Sequence, residues 1–356
     1  MILRFALIAL LVSSAAAHAE AGGGARASRA PQVPARPAPV ARPHGSAPAD
    51  VDERESTDTT LSVPARGRLE LDNFSGEILV SAWDRSAMRV QAEHAPRRRV
   101  QVDVRPATVT LRTVRRIRIH DPDNLRHARI EEIEIPSRVD YRLTVPRWMS
   151  LRLSGVNSRI SVEGVEGDVG AEAVTGPVSV RGGRGTIRVN SVNGAVEVIG
   201  VRGSVEAGSV SEGVTLRDVE GRVRVESVSG DVDLERIVSD AVEASTVSGD
   251  LSYSGTLSPG GSYRFESHSG DLTVVMPERP DVAVLVNTYS GEFRSSLPVQ
   301  SKSTFTSVRG LGKEFDFTLG DGRAELSLES FSGLIRLASA GEPAGRQRVI
   351  EVRRDK

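Results

Sequence analysis

A short motif recurs at nearly constant spacing through the second half of the chain, and few folds tolerate that. Alignment of VNSRISV (156–162), VTGPVSV (174–180), VNGAVEV (192–198), VSEGVTL (210–216), VSGDVDL (228–234), VSGDLSY (247–253), HSGDLTV (268–274), YSGEFRS (289–295) and FSGLIRL (331–337) puts Ser158, Gly176, Gly194, Glu212, Gly230, Gly249, Gly270, Gly291 and Gly333 in one column. Successive members lie 18, 18, 18, 18, 19, 21, 21 and 42 residues apart. The last interval reads as two coils of 21, with an irregular coil near Gly310 and Gly312. A second set, Gly167, Gly185, Gly203 and Gly221, falls midway, so each coil divides into two similar nine-residue halves. A fixed short period means that each unit packs only on its neighbours, which is the signature of a solenoid.

Within a half, apolar residues follow the glycine at +2, +4 and +7. The first two share one face of a short strand, and the glycine is expected to supply a backbone conformation with positive φ where the chain turns. The fold expected is therefore an all-β solenoid of stacked two-strand coils, 18–21 residues each. Val196, Val198, Val232 and Leu234 should point inward, and Glu197, Asp233 and Glu235 outward. Aromatic residues make up only 4% of the chain, which fits a narrow core of Val, Ile and Leu. Tyr253, Phe265, Phe293, Phe305, Phe315 and Phe317 fall in the longer coils, where a wider cross-section would take them.

The rest of the chain organises around this stack. Residues 1–19 carry Arg4, an apolar run from Phe5 to Val12 and the small-residue pattern Ala17-His18-Ala19, as expected of a cleaved bacterial signal peptide. The run is too short to span a bilayer and no later stretch is long enough, so an exported product without a transmembrane segment is expected, periplasmic, cell-surface or extracellular. Residues 20–57 are rich in Pro, Ala and Arg and read as a disordered linker. Residues 58–153 show period-two alternation, as in RGRLELD (66–72), and are expected to cap the first coil; 341–356 form a charged tail whose RVIEV (348–352) is a candidate cap for the last.

The SGD repeats, together with GRLELDNFSGEILVSAWD (67–84) and YRLTVPRWMSLRLSGVNSRI (141–160), resemble the bacterial putative-adhesin family of unknown function, whose members are exported β-solenoids. The resemblance covers about 58–340 and implies architecture and an adhesin-like role; it supplies no catalytic or binding residues. Ser158 and Glu212, where glycine is usual, and the Arg-rich insert after Ala95 depart from the pattern.

No constellation calls for catalysis or a cofactor. The absence of cysteine excludes thiolate chemistry, a disulfide framework and a lipidated N-terminal cysteine. The Ser, Thr or Asn before each repeat glycine forms a column, which suits a hydrogen-bonding ladder rather than a single activated nucleophile. Asp231, Asp250, Asp271 and Glu292 run consecutively after the turn and are weak metal candidates, although the GGxGxD pattern of calcium-binding rolls is missing. With Asp168 and Glu77 they read as solvated corner carboxylates, partly neutralised by Arg159, Arg222 and Arg224.

His268, Tyr289 and Phe331 replace the valine of earlier coils. The valines favour an inward column; an outward one would make a stripe for stacking on sugars. Residues 58–153 hold 18 Arg against 13 acidic residues, whereas 154–337 hold 17 basic against 26 acidic. Arg115, Arg116 and Arg118 belong to an expected hairpin around DPDN (121–124), while Arg97, Arg98 and Arg99 have no structural explanation and stand with His268 and Tyr289 as binding candidates. The overall charge of −1 argues against nucleic acid as partner. The function expected is non-catalytic binding or scaffolding at the cell envelope, toward a glycan, an anionic polymer or another envelope protein. The alternative is a β-helix polysaccharide lyase or hydrolase, which would need long loops that the coils of 158–249 leave no room for.

Overall fold

The computed structural model describes residues 54–96, 98–121, 124–134, 137–297, 303–306, 312–340 and 348–349, all within one compact unit, Asp50–Lys356. Among them every regular element is a strand, as the alternation requires.

Seven strands precede the repeats: β1 (Glu55–Ser62), β2 (Arg68–Trp83), β3 (Ala87–His94), β4 (Arg98–Val104), β5 (Thr108–Asp121), β6 (Asn124–Glu134) and β7 (Val139–Pro146). β1 begins inside the stretch assigned to the linker. β5 and β6 form the hairpin expected around DPDN, with Arg116 opposite Glu132 in register. Strand β2 is a complete coil in itself, bending at Gly76.

The repeats continue with β8 (Ser150–Glu163), β9 (Val169–Thr175), β10 (Val178–Asn193), β11 (Val196–Ser209), β12 (Val214–Arg217), β13 (Val223–Ser227), β14 (Val232–Thr246), β15 (Leu251–Ser269) and β16 (Leu272–Met276). Their pairing is parallel, with partners 18 residues apart in the first rungs: Val178 beside Val196, Val196 beside Val214 and Val205 beside Val223. The interior is lined from both sides. Val196, Val198, Val232 and Leu234 are buried, as are Val205, Ala207, Val223 and Val225 across from them, while Glu197, Asp233 and Glu235 point out.

The two halves of a rung are not equivalent. Val165, Val201, Val219 and Ile237 are buried, yet their half-repeat counterparts Val174, Val192, Val210 and Val228 face outward. The cause is a residue with φ near +60° at one corner only: φ is 72°, 65°, 68°, 54° and 52° at Gly164, Gly182, Gly200, Asp218 and Arg236. That residue breaks the alternation and returns the next side chain to the core. On the other side Ile187, Val189 and Ser191 alternate inward without interruption, so Val192 must point to solvent.

The repeat glycine also works differently from expectation. Gly176 and Gly333 have positive φ, but Gly194, Gly230, Gly249 and Gly270 do not. What excludes a side chain at Gly249 is proximity: a Cβ there would overlap the carbonyl oxygen of Gly230 in the rung beneath.

The last strands are β17 (Val282–Thr288), β18 (Glu292–Ser295), β19 (Ser303–Thr306), β20 (Lys313–Leu319), β21 (Ala324–Ser332), β22 (Leu334–Ser339) and β23 (Arg348–Val349). Here the stack departs from chain order. β21 lies between β15 and β17, parallel to both, and β22 lies between β16 and β18. The interval of 42 residues is thus not two coils: Val282 pairs directly with Ala324. The rung formed by β21–β22 is inserted between two rungs that are consecutive in sequence. The outer edge is then covered by antiparallel β20 on β17 and β23 on β18. The other end shows the same device, with β2 lying between the consecutive strands β7 and β8.

Wider rungs do hold the aromatic residues. Tyr253 and Phe265 meet at 4.9 Å between ring centroids and Phe293 and Phe315 at 5.0 Å, all buried. Phe305 lies in β19, whose side chains are outside the described residues, as are Gly310 and the tail beyond Val349.

Candidate interaction surface

The uninterrupted alternation on one side of each rung builds an outward column: Phe74, Val156, Val174, Val192, Val210, Val228, Val247, His268, Phe331 and Tyr289. The backbone ties it together, with Val192, Val210, Val228 and Val247 each accepting a hydrogen bond from the next rung's serine N–H. Phe74, Val156, Val174, Val247, Tyr289 and Phe331 are each 37–48% exposed. At about 4.8 Å per rung the ten positions make an apolar ridge roughly 43 Å long. Hence His268 and Tyr289 do not face the core, as the valines had favoured; the pleat decides against it.

Rung insertion sets the order along the ridge. Phe331 comes between His268 and Tyr289, its ring 4.7 Å from each and tilted by 13° and 7° respectively. Both faces of the Phe331 ring are therefore covered, and solvent meets ring edges. A pyranose needs a free aromatic face, which Phe331 does not offer even though it points outward.

The corner carboxylates flank the ridge, and their role was not legible in the sequence. Asp231 accepts the Asp250 N–H at 2.9 Å, Asp250 accepts the Asp271 N–H at 2.8 Å, and Asp271 accepts the Leu334 N–H at 2.9 Å, all through Oδ1. Asp168 does the same for Thr186. Leu334 separates Asp271 from Glu292, so the acidic run is three long, and Glu292 is paired with Arg294 instead. Arg159 lies 4.0 Å from Glu77, and Arg224 binds Glu226 and Glu243 rather than the corner. Among the described residues no group of three or more ligand-type side chains is arranged to hold a metal ion.

Beneath the ridge runs a buried hydroxyl column, also unforeseen. Ser191, Ser209, Ser227, Thr246, Ser267 and Thr288 sit three residues before the repeat position. Ser227 donates to the Gly230 carbonyl at 2.8 Å and accepts the Gly230 N–H at 3.1 Å; Ser267 and Gly270 repeat the pattern. The residues next to the glycine, expected to form a hydrogen-bonding ladder, are mostly exposed and bridge rungs at some positions: Ser211 Oγ donates to Asn193 Oδ1 at 2.9 Å and Ser290 Oγ to the Phe331 carbonyl at 3.0 Å. The signal that could have revealed the buried column is period two itself, since Val189 and Ser191 share a face.

On the ridge's other flank Glu266 lies beside Glu329 in the ladder. Burial, reinforced by the Glu329 charge, pushes the Glu266 carboxyl above its usual range. Elsewhere charges are matched across rungs: Arg188 with Glu206, Arg202 with Glu220, Arg217 with Glu235, and Arg236 with Asp218.

Of the arginine candidates, Arg97 is outside the described residues. Arg98 and Arg99 line an open cleft of about 440 Å³ with Glu55, Ser56, Thr57, His94 and Val100. Arg98 Nη1 is buried there with no partner. Both nitrogens of His94 are engaged, with Thr57 Oγ1 at 3.0 Å and the Ala95 carbonyl at 3.2 Å. The cleft and the ridge are separate features.

The family model named Toastrack DUF4097 matches residues 67–333, three-quarters of the chain and nearly all of the stack. The chain belongs to the Toastrack family. No curated protein matches it. Three solved structures resemble this Toastrack chain at low identity. A putative cell adhesion protein from Clostridium sporogenes is 11% identical, covering 81% of this chain and 100% of that one, with a TM-score of 0.19. A putative adhesin from Bacteroides fragilis is 12% identical over 80% and 98%, with a TM-score of 0.36. One from Parabacteroides distasonis is 11% identical over 80% and 97%, at 0.28. At these scores they carry no argument about how this Toastrack protein works.

Proposed function

We propose that this Toastrack protein is an exported, non-catalytic, adhesin-like module that binds or scaffolds at the bacterial cell envelope. The observation that carries the reading is the exposed ridge, unbroken over ten rungs. Monomeric soluble proteins rarely leave a contiguous apolar strip of that length in water, and such strips mark interaction surfaces. The ridge is regular, and its elements are fixed by strand pairing on both sides, as suits a surface that presents rather than reacts. Of the partners considered from sequence, the covered faces of Phe331 disfavour a glycan stacked on that ring and the flanking carboxylates disfavour an anionic polymer. Another envelope protein fits best.

The full chain and a Phe331→Ser/Tyr289→Ser variant, incubated with bacterial envelope fractions, test the reading. Retention of the parent and loss of retention by the variant are expected. Equal retention would remove the ridge as the binding surface. Release of reducing or unsaturated ends from a polysaccharide panel, abolished by a point substitution, would overturn the non-catalytic assignment.

A further inference from the structure

The ridge is not chemically uniform along its length, and the difference says what docks there. Over its first rungs it is aliphatic, with Arg159 and Glu77 at one flank. From Val228 to Tyr289 it becomes aromatic and is bordered by carboxylates on both sides. Asp231, Asp250 and Asp271 line the corner side, and Glu266 and Glu329 the strand side, two and two residues before His268 and Phe331. Among the described residues none of these five carboxylates takes part in an ion pair, although the chain matches charges across rungs in its other ladders. Each of the three aspartates spends one oxygen on a backbone N–H and leaves the other to solvent. Glu266 and Glu329 are adjacent only because the last rung is inserted; burial first, and then the Glu329 charge, hold the Glu266 carboxyl above its usual range.

We propose that this five-rung stretch is the docking site for a basic amphipathic polypeptide segment of a partner protein. Apolar side chains of the segment rest on Val228, Val247, Phe331 and Tyr289, and its Lys or Arg side chains reach the carboxylates on either side. The dimensions agree. Five rungs span about 19 Å at strand spacing, close to the roughly 18 Å length of a twelve-residue helix. The ring edges exclude cation–π stacking on Phe331, so the cations must go to the flanks. This inference rests on the ridge being the binding surface and specifies its occupant.

The test is a titration of fluorescently labelled (Lys-Leu-Leu-Lys)3 with the full chain at low salt, read by anisotropy. Saturable binding is expected, with (Glu-Leu-Leu-Glu)3 not binding. Asp250→Asn with Asp271→Asn keeps the Oδ1 acceptors and removes two charges; it should weaken binding about tenfold. Phe331→Ser with Tyr289→Ser should weaken it by a similar factor, about tenfold, whereas Val238→Ser, exposed but off the ridge, should leave it unchanged.

Absence of saturable binding, or binding indifferent to Phe331 and Tyr289, overturns the proposal; the latter marks a general attraction of cations to an acidic protein. A parent that sediments as a dimer dissociated by Phe331→Ser overturns it too, since a second copy would then own the ridge. If the peptide fails while envelope retention still depends on Phe331 and Tyr289, the occupant is wrong and the functional reading stands. If retention is also indifferent, both fall.

Discussion

At the scale of residues, the stack depends on small polar groups placed where the backbone turns. A corner leaves amides and carbonyls that the ladder does not use, and a buried unpaired one costs about 1–3 kcal/mol. Ser227 answers for both groups of Gly230. Ser330, in the inserted rung, has a buried hydroxyl with no partner. The two substitutions to alanine should therefore differ. Ser227→Ala is expected to lower unfolding stability by roughly 1 kcal/mol or more, and Ser330→Ala to change it by no more than a few tenths or to raise it slightly. Urea denaturation of both variants measures this, and equal losses would mean that the hydroxyls act by packing alone.

At the scale of elements, ladders of like residues decide how the stack responds to ions and protons. The aspartates of the column repel one another, and the N–H dipole that Oδ1 of each of Asp231, Asp250 and Asp271 accepts from the next rung offsets part of that repulsion. Salt and water screen the remainder. Thermal melts in chelator and in millimolar calcium should coincide; a large rise with calcium that disappears in Asp250→Asn/Asp271→Asn would reveal a metal site.

The Glu266–Glu329 contact between β15 and β21 predicts a pH effect of definite sign. Burial and the neighbouring charge raise the Glu266 pKa in the fold. Protonation therefore favours the folded state, and that stabilisation is present below the ordinary glutamate range and lost as pH rises through the raised value. Glu266→Gln should accordingly raise Tm near pH 7, by an amount matching roughly 0.2–1 kcal/mol for a like-charge cross-strand pair. The advantage over the parent should shrink toward about pH 4, where the glutamate is itself protonated. An advantage that grows on acidification would contradict the assignment.

At the scale of the molecule, the two ends are secured by inserting one rung out of sequence. Among the described residues β17 pairs with β20 and β21, and β18 with β22 and β23, so both reach the rest of the stack only through β21 and β22. Open parallel edges invite association with other chains, and the insertion places the chain's late segment inside rather than at the edge. A chain truncated after Gly320 should lose hydrogen-exchange protection in β17 and β18 while β8 to β14 keep theirs. Persistent protection of β17 would mean that it can pair with β15 directly. Because partners such as Ser262 and Glu325 lie far apart in sequence, closure of this end is also expected to be the slow step of refolding, read as late protection of β21 in pulsed exchange.

What the sequence determined by itself was the parallel 18-residue ladder and its interior. Val196 falls on Val214 because the period is constant, and Val198 is buried because strands alternate. Periodicity is a local property, so it survives without coordinates. The outward turn of His268 and Tyr289 was within reach of the same rule, counted from Val189 and Ser191, but the half-repeat alignment equated it with Val201, where a left-handed Gly200 resets the phase. Only the tertiary structure decided the rest. That Leu334 rather than Glu292 follows Asp271, and that Phe331 stands between His268 and Tyr289, depends on which rung stacks on which. A repeat whose units are nearly interchangeable does not encode that order locally; the edges, through the strands left to cover them, select it.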